Sequence, residues 1–89
     1  MIRREVLIRN RLGLHARAAA RFVHEANRYR SRVTASRDGR SMDGKSILGI
    51  LLLAAGQGAV LELAVEGEDE AEALAALVSL VEGGFGEEG

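Results

Sequence analysis

"HARAAARFVHEANRYRSRVTASRDGRSMD", residues 15–43, decides the fold class, because its hydrophobic period changes once along its length. From Ala16 onward, Ala19, Phe22, Val23 and Ala26 recur at i, i+3, i+4 and i+7, which predicts a helix burying one stripe. Residues 32–37, "RVTASR", then alternate along a strand. Asp38-Gly39 is a two-residue hairpin signal leading into a short strand over residues 40–43. A helix followed directly by a hairpin points to a mixed fold with an antiparallel sheet.

The flanks extend the same pattern. Residues 2–9 alternate, with Ile2, Val6 and Ile8 on one side, and read as a strand; Leu12–Leu14 form a loop carrying Gly13. Ser46 opens an apolar segment that runs to "GQG", residues 56–58, and predicts a short helix with glycine at its end. "AVLELAVE", residues 59–66, predicts a strand with Leu61, Leu63 and Val65 facing inward. A second long helix follows, with an acidic first turn that suits its dipole, capping-box spacing at Asp69 and Glu72, and a buried stripe of Leu74, Leu77, Val78 and Val81. Phe85, in the tail "GGFGEEG", is expected to tuck back onto the core. The order βαββαβα predicts one α+β domain over residues 1–89, a four-stranded antiparallel sheet with three helices on one face.

Composition narrows the function classes. Cysteine is absent, which excludes disulfides and thiolate metal sites, and two histidines nine residues apart predict no metal site. The longest apolar stretch, Ile47 to Ala55, contains Gly49 and falls far short of the roughly 20 residues that span a bilayer. The N-terminus shows no long apolar run of the signal-peptide kind, so a cytoplasmic protein without membrane insertion is expected. All twelve Lys and Arg lie in residues 1–45, and nine of the thirteen acids lie in residues 46–89. Such polarity steers an acidic partner toward the N-terminal half, although two ordinary solvated faces would give the same count. A nucleic-acid stacking platform needs aromatics on the sheet, and Phe22, Tyr29 and Phe85 all lie off the predicted strands, so no nucleic-acid partner is expected.

The chemistry concentrates at His15. If His15 caps the first helix, Arg17, Arg21, His24 and Arg28 fall within a narrow arc opposite the apolar stripe. Arg17 then sits in the first turn beside the free amides of residues 16–18, where a cation opposes the helix dipole unless an anion visits. A phosphoryl group would suit the place: backbone N–H groups of Ala16, Arg17 and Ala18 and the Arg17 guanidinium all favour it. The same positive field favours neutral imidazole, with a ring nitrogen free to attack. A histidine that merely caps the helix, with Arg17 solvated, fits the same residues.

"GLHARAAARFV" resembles the active-site signature G-[L/I]-H-A-R-P-A of the histidine-containing phosphocarrier (HPr) family of the bacterial sugar phosphotransferase system. The likeness continues through "GKSILGILLLAAGQGAVLELAVEGEDEAEAL" and covers essentially the whole chain. The resemblance implies an open-faced sandwich of four strands and three helices. It also implies that His15 accepts a phosphoryl group on Nδ1 from phosphoenolpyruvate-charged enzyme I and delivers it to sugar-specific IIA proteins. A phosphoryl carrier of this kind is not an enzyme in its own right, needs no cofactor, and is expected to be monomeric. Ala20, Ile47, Leu48 and Leu51 are placed by the resemblance on the partner-docking surface, ringed by Arg17 and Arg21. One position departs: the family has proline after the arginine, where this chain has Ala18 and no proline anywhere. Ala18 restores an N–H that proline would remove.

"GRSMDGKS", residues 39–46, matches the P-loop pattern, but Gly39 sits in a predicted hairpin and the strand before the motif's end is short and polar. Ser46 is better explained as the N-cap of the short helix, a position that also suits a phosphoserine. In HPr of some bacteria the matching serine is a regulatory site for an ATP-dependent kinase, the HPr kinase/phosphorylase. A regulatory module acting through phosphorylated Ser46 is the alternative reading of the chain.

Overall fold

The computed structural model describes residues 1–87. Its elements are β1 (Ile2–Leu7), α1 (Ala16–Ala26), β2 (Arg32–Arg37), β3 (Arg40–Asp43), α2 (Ile47–Leu52), β4 (Val60–Glu66) and α3 (Glu70–Glu82), followed by a single 3₁₀ turn at Gly84–Gly86. The four strands form one sheet in the order β1-β4-β2-β3 with every neighbouring pair antiparallel. The β2–β3 hairpin turns on Asp38 and Gly39, both left-handed at φ 51° and 81°, the pair of positive angles a two-residue turn needs.

Alternation along the strands produces the layering. Val6 lies opposite Leu61, Val33 opposite Val65 and Ala35 opposite Leu63, and all six are buried on the face that the helices cover. On the other face Glu5 meets Glu62, Leu7 meets Val60 and Ser36 meets Ser41, an open surface. The expected helical stripes supply the opposing layer: Ala19, Phe22, Val23 and Ala26 from α1, and Leu74, Leu77, Val78 and Val81 from α3. Phe22 is wholly buried, a contribution of roughly 2–3 kcal/mol relative to an exposed ring.

Two local expectations are corrected. Asp69 precedes α3 but makes no side-chain cap hydrogen bond. Its carboxylate instead accepts from the Arg30 N–H at 2.9 Å, the Ser31 N–H at 2.9 Å and the Ser31 hydroxyl at 2.5 Å, tying α3 to the start of β2. A partner distant in sequence outcompetes the local cap. Second, α2 ends at Leu52, with Ala54 rather than a glycine in the left-handed position at φ 50°. Within the same short helix Ile50 is fully buried and Leu52 is 49% exposed.

The loop before α1 is fastened from two directions. Leu14 N–H donates to the Ala55 carbonyl at 2.9 Å, Gly13 N–H to the Asn10 carbonyl at 3.1 Å, and the buried Asn10 side-chain amide to the Gly13 carbonyl at 2.8 Å. Gly13 is left-handed at φ 64°, and a Cβ there would lie 2.5 Å from the Ala55 carbonyl oxygen. Only glycine lets the two loops approach this closely. This contact sets where His15 begins its helix.

Candidate functional site

His15 is the N-cap of α1, with extended backbone at φ −73° and ψ 177°, and its carbonyl accepts from Ala19 N–H at 2.8 Å. Its side chain turns back over the helix start, where Nδ1 accepts from the Arg17 N–H at 3.2 Å. That contact has a consequence for the ring. An Nδ1 that accepts carries an electron pair, so the proton of neutral imidazole resides on Nε2.

Nε2 lies 2.5 Å from the Glu87 carboxylate, whose other oxygen accepts from the Asn10 side chain at 2.9 Å. Burial pushes the Glu87 carboxyl up, but the hydrogen bonds from Asn10 and His15 and the nearby charge of Arg21 outweigh it, so the group is held below its ordinary range. The tail reaches this place by a left-handed run through Gly84, Phe85 and Gly86, with Phe85 buried as expected and Arg21 donating to its carbonyl. A left-handed Phe costs roughly 1–2 kcal/mol, which burial of its ring offsets.

Around the imidazole opens a cleft of about 580 Å³, bordered by Arg11, Leu12, Arg17, Arg21 and Glu87. Arg17 is exposed and pairs with no acid among the described residues, so its guanidinium faces the cleft rim unneutralised. Ala16 is exposed beside it, whereas Ala18 is buried and packs under the first turn. Among the described residues nothing accepts from the Ala18 N–H. Arg21 and His24 lie on the exposed face of α1, as the helical arc predicts, whereas the helix ends at Ala26 and leaves Arg28 in the following turn, exposed and paired to Glu25 at 3.2 Å.

Ser46 is the N-cap of α2, its hydroxyl accepting from Gly49 N–H at 3.0 Å. The motif that mimics a P-loop is therefore a hairpin turn, an edge strand and a six-residue helix. Since α1 packs on α2, the apolar residues of α2 adjoin the helix that His15 caps. Ile47 is 42% and Leu48 66% exposed, while Leu51 and Ala20 are half-buried. Leu12, at the border of the cleft, and Leu52, in α2, are exposed apolar residues that the sequence reading had not singled out. Glu87 and Asn10 were also missed. Seventy-two residues separate Glu87 from His15, and an acid in a short glycine-rich tail carries no periodic signal.

Comparison with known proteins adds independent findings. The family model described as "PTS HPr component phosphorylation site" matches residues 2–83. The phosphocarrier protein HPr of Pseudomonas aeruginosa is 54% identical over 84 residues, covering 93% of each chain. Among solved structures, HPr of Thermoanaerobacter tengcongensis superposes with a TM-score of 0.95 at 45% identity, covering 99% of each chain. An HPr dimer from the same organism matches with a TM-score of 0.78 at 46% identity, covering 92% of this chain and 94% of that one.

Proposed function

The chain belongs to the HPr family of phosphotransferase-system phosphocarriers, and from that membership we propose that it takes a phosphoryl group on His15 Nδ1 from enzyme I and passes it to sugar-specific IIA proteins. The observation that carries this reading is the His15 ring, held over the start of α1 with its Nδ1 electron pair toward the Arg17 N–H. As Nδ1 attacks, the N–P bond forms, the bond from phosphorus to the donor breaks, and its electron pair leaves with the donor. The Arg17 N–H, released from Nδ1, turns to a phosphoryl oxygen. The N–H groups of Ala16 and Ala18, the helix dipole and the Arg17 guanidinium hold the remaining charge. Discharge reverses these steps, with the acceptor's nucleophile in place of the donor.

Docking is assigned to Ala20, Arg21, Ile47, Leu48 and Leu51, a small apolar patch beside arginines that suits a partner with an acidic rim. Action as a monomer is proposed, alongside a solved HPr relative that is a dimer. The proposed setting is the cytoplasm; no helix among the described residues is long and apolar enough to cross a membrane. Ser46 is proposed as a regulatory site for an ATP-dependent HPr kinase/phosphorylase. Its hydroxyl sits at the helix start beside exposed Ile47 and Leu48, so an added phosphate would place charge on the docking surface.

Incubation with phosphoenolpyruvate and cognate enzyme I tests the carrier reading. One acid-labile phosphate should appear by mass, disappear in His15→Ala and persist in Ser46→Ala. An adduct formed only with ATP and a kinase, and abolished in Ser46→Ala, would replace the carrier reading with the regulatory one.

A further inference from the structure

The phosphocarrier reading leaves the tail unused, yet the tail delivers a carboxylate to the back of the reactive ring. Arg21 holds the Phe85 carbonyl, Phe85 is buried, and Glu87 arrives 2.5 Å from Nε2. The carboxylate does not depend on His15 for its position, because Asn10 donates to its other oxygen at 2.9 Å. Asn10 is itself 2% exposed and spends its second side-chain N–H on the Gly13 carbonyl, so its amide is pinned with nitrogen toward Glu87. The chain of contacts runs from the loop through Asn10 and Glu87 to the imidazole.

We infer that Glu87 is a positioning residue for phosphoryl transfer, holding the His15 proton on Nε2 so that Nδ1 keeps the electron pair that attacks. The inference rests on the carrier reading for its consequence but not for its geometry. Imidazole has two neutral tautomers, and only the one protonated on Nε2 exposes a nucleophile at Nδ1. Two groups select it: the Arg17 N–H requires an acceptor at Nδ1, and the Glu87 carboxylate requires a donor at Nε2. When Nδ1 bonds to phosphorus the ring becomes cationic, with its proton still on Nε2 facing Glu87. No proton has to move, and the carboxylate lies next to the charge that develops. The carboxylate of a Ser-His-Asp triad orients its imidazole by the same logic.

Two substitutions separate this role from simple packing. Glu87→Ala removes the acceptor at Nε2. Glu87→Gln keeps the size but presents one acceptor to two donors, the Asn10 amide and the Nε2 proton, so one of those contacts must fail. The tautomer is read in the unphosphorylated protein from ¹⁵N shifts of the His15 ring above its titration, which requires no phosphoryl donor. The expected result is a dominant Nε2–H form in the parent chain and a lower Nε2–H share in both variants. Acceptance from enzyme I should slow at least tenfold in both, about the loss that follows from removing a hydrogen bond to a charged group. Glutamine should not rescue. A parent-like tautomer ratio in both variants would overturn the inference, as would parent-like transfer in a variant whose tautomer had shifted. Failure of the parent chain itself to accept phosphate would instead overturn the carrier reading.

Discussion

Gly13→Ala should cost this small domain a large part of its stability, and the structure permits the amount to be worked out. Gly13 lies at φ 64°, where a side chain costs roughly 1–2 kcal/mol. The new Cβ would lie 2.5 Å from the Ala55 carbonyl oxygen and 2.7 Å from Gly56 Cα, both backbone atoms that cannot swing aside. Relieving such overlap costs a further 1–3 kcal/mol or so. If the 55–56 segment retreats, the 2.9 Å bond from Leu14 N–H to Ala55 stretches and forfeits about 1 kcal/mol. Together these predict a loss of about 3–6 kcal/mol, or roughly 15–30 °C in melting temperature for a chain of this size. Gly39→Ala is the control: Gly39 is also left-handed, at φ 81°, but nothing lies within 4 Å of its Cβ position. It should lose only that conformational cost, roughly 1–2 kcal/mol. Urea denaturation of both variants against the parent reads the difference directly. A Gly13→Ala loss below about 1 kcal/mol, or equal to that of Gly39→Ala, would refute the claim that close backbone approach sets the position of the His15 loop.

Two further outcomes follow from the same fold. The Asp69 carboxyl is held below its ordinary range chiefly by the Ser31 hydroxyl, with the Arg30 N–H next and burial opposing. The folded chain therefore binds fewer protons there than the unfolded chain, so this stability is present above the unfolded value of 3.8 and lost as pH falls through the lower folded one. The gap in urea midpoint between the parent and Asp69→Asn should accordingly narrow between about pH 6 and about pH 3; a gap of constant size would contradict the assignment. Ala18→Pro, which restores the residue usual in the family, should raise stability by about 0.4–1 kcal/mol through its fixed φ. The same change should slow phosphoryl acceptance roughly threefold to tenfold by deleting one N–H donor. Thermal melts and transfer rates check the two halves, and an unchanged rate would remove Ala18 from the donor set.

Periodicity carried most of the architecture. The change from a 3.6-residue to a two-residue repeat between Ala26 and Arg32, and the Asp38-Gly39 turn, specify local geometry that backbone sterics enforce wherever the segment sits. His15, Arg17 and Ser46 were readable for the same reason, since a helix cap and a first turn are defined by neighbours in the chain. Asp69 marks where that logic ends. Its spacing favours its own helix, but Ser31 and Arg30, nearly forty residues earlier, offer three donors in place of one cap.

The proton on the His15 ring belongs to the same category. Local sequence places the imidazole over free amides, yet Glu87 and Asn10 reach it only after the tail has crossed the helix start and Phe85 has been buried. Chain order therefore dictated the elements, their alternation and the place of His15 at a helix start, because those depend on residues within a few positions of one another. The hydrogen bonds by which Glu87 reaches the His15 ring and Asn10 join segments more than seventy residues apart, and only the packed sheet and helices bring those segments within bonding distance.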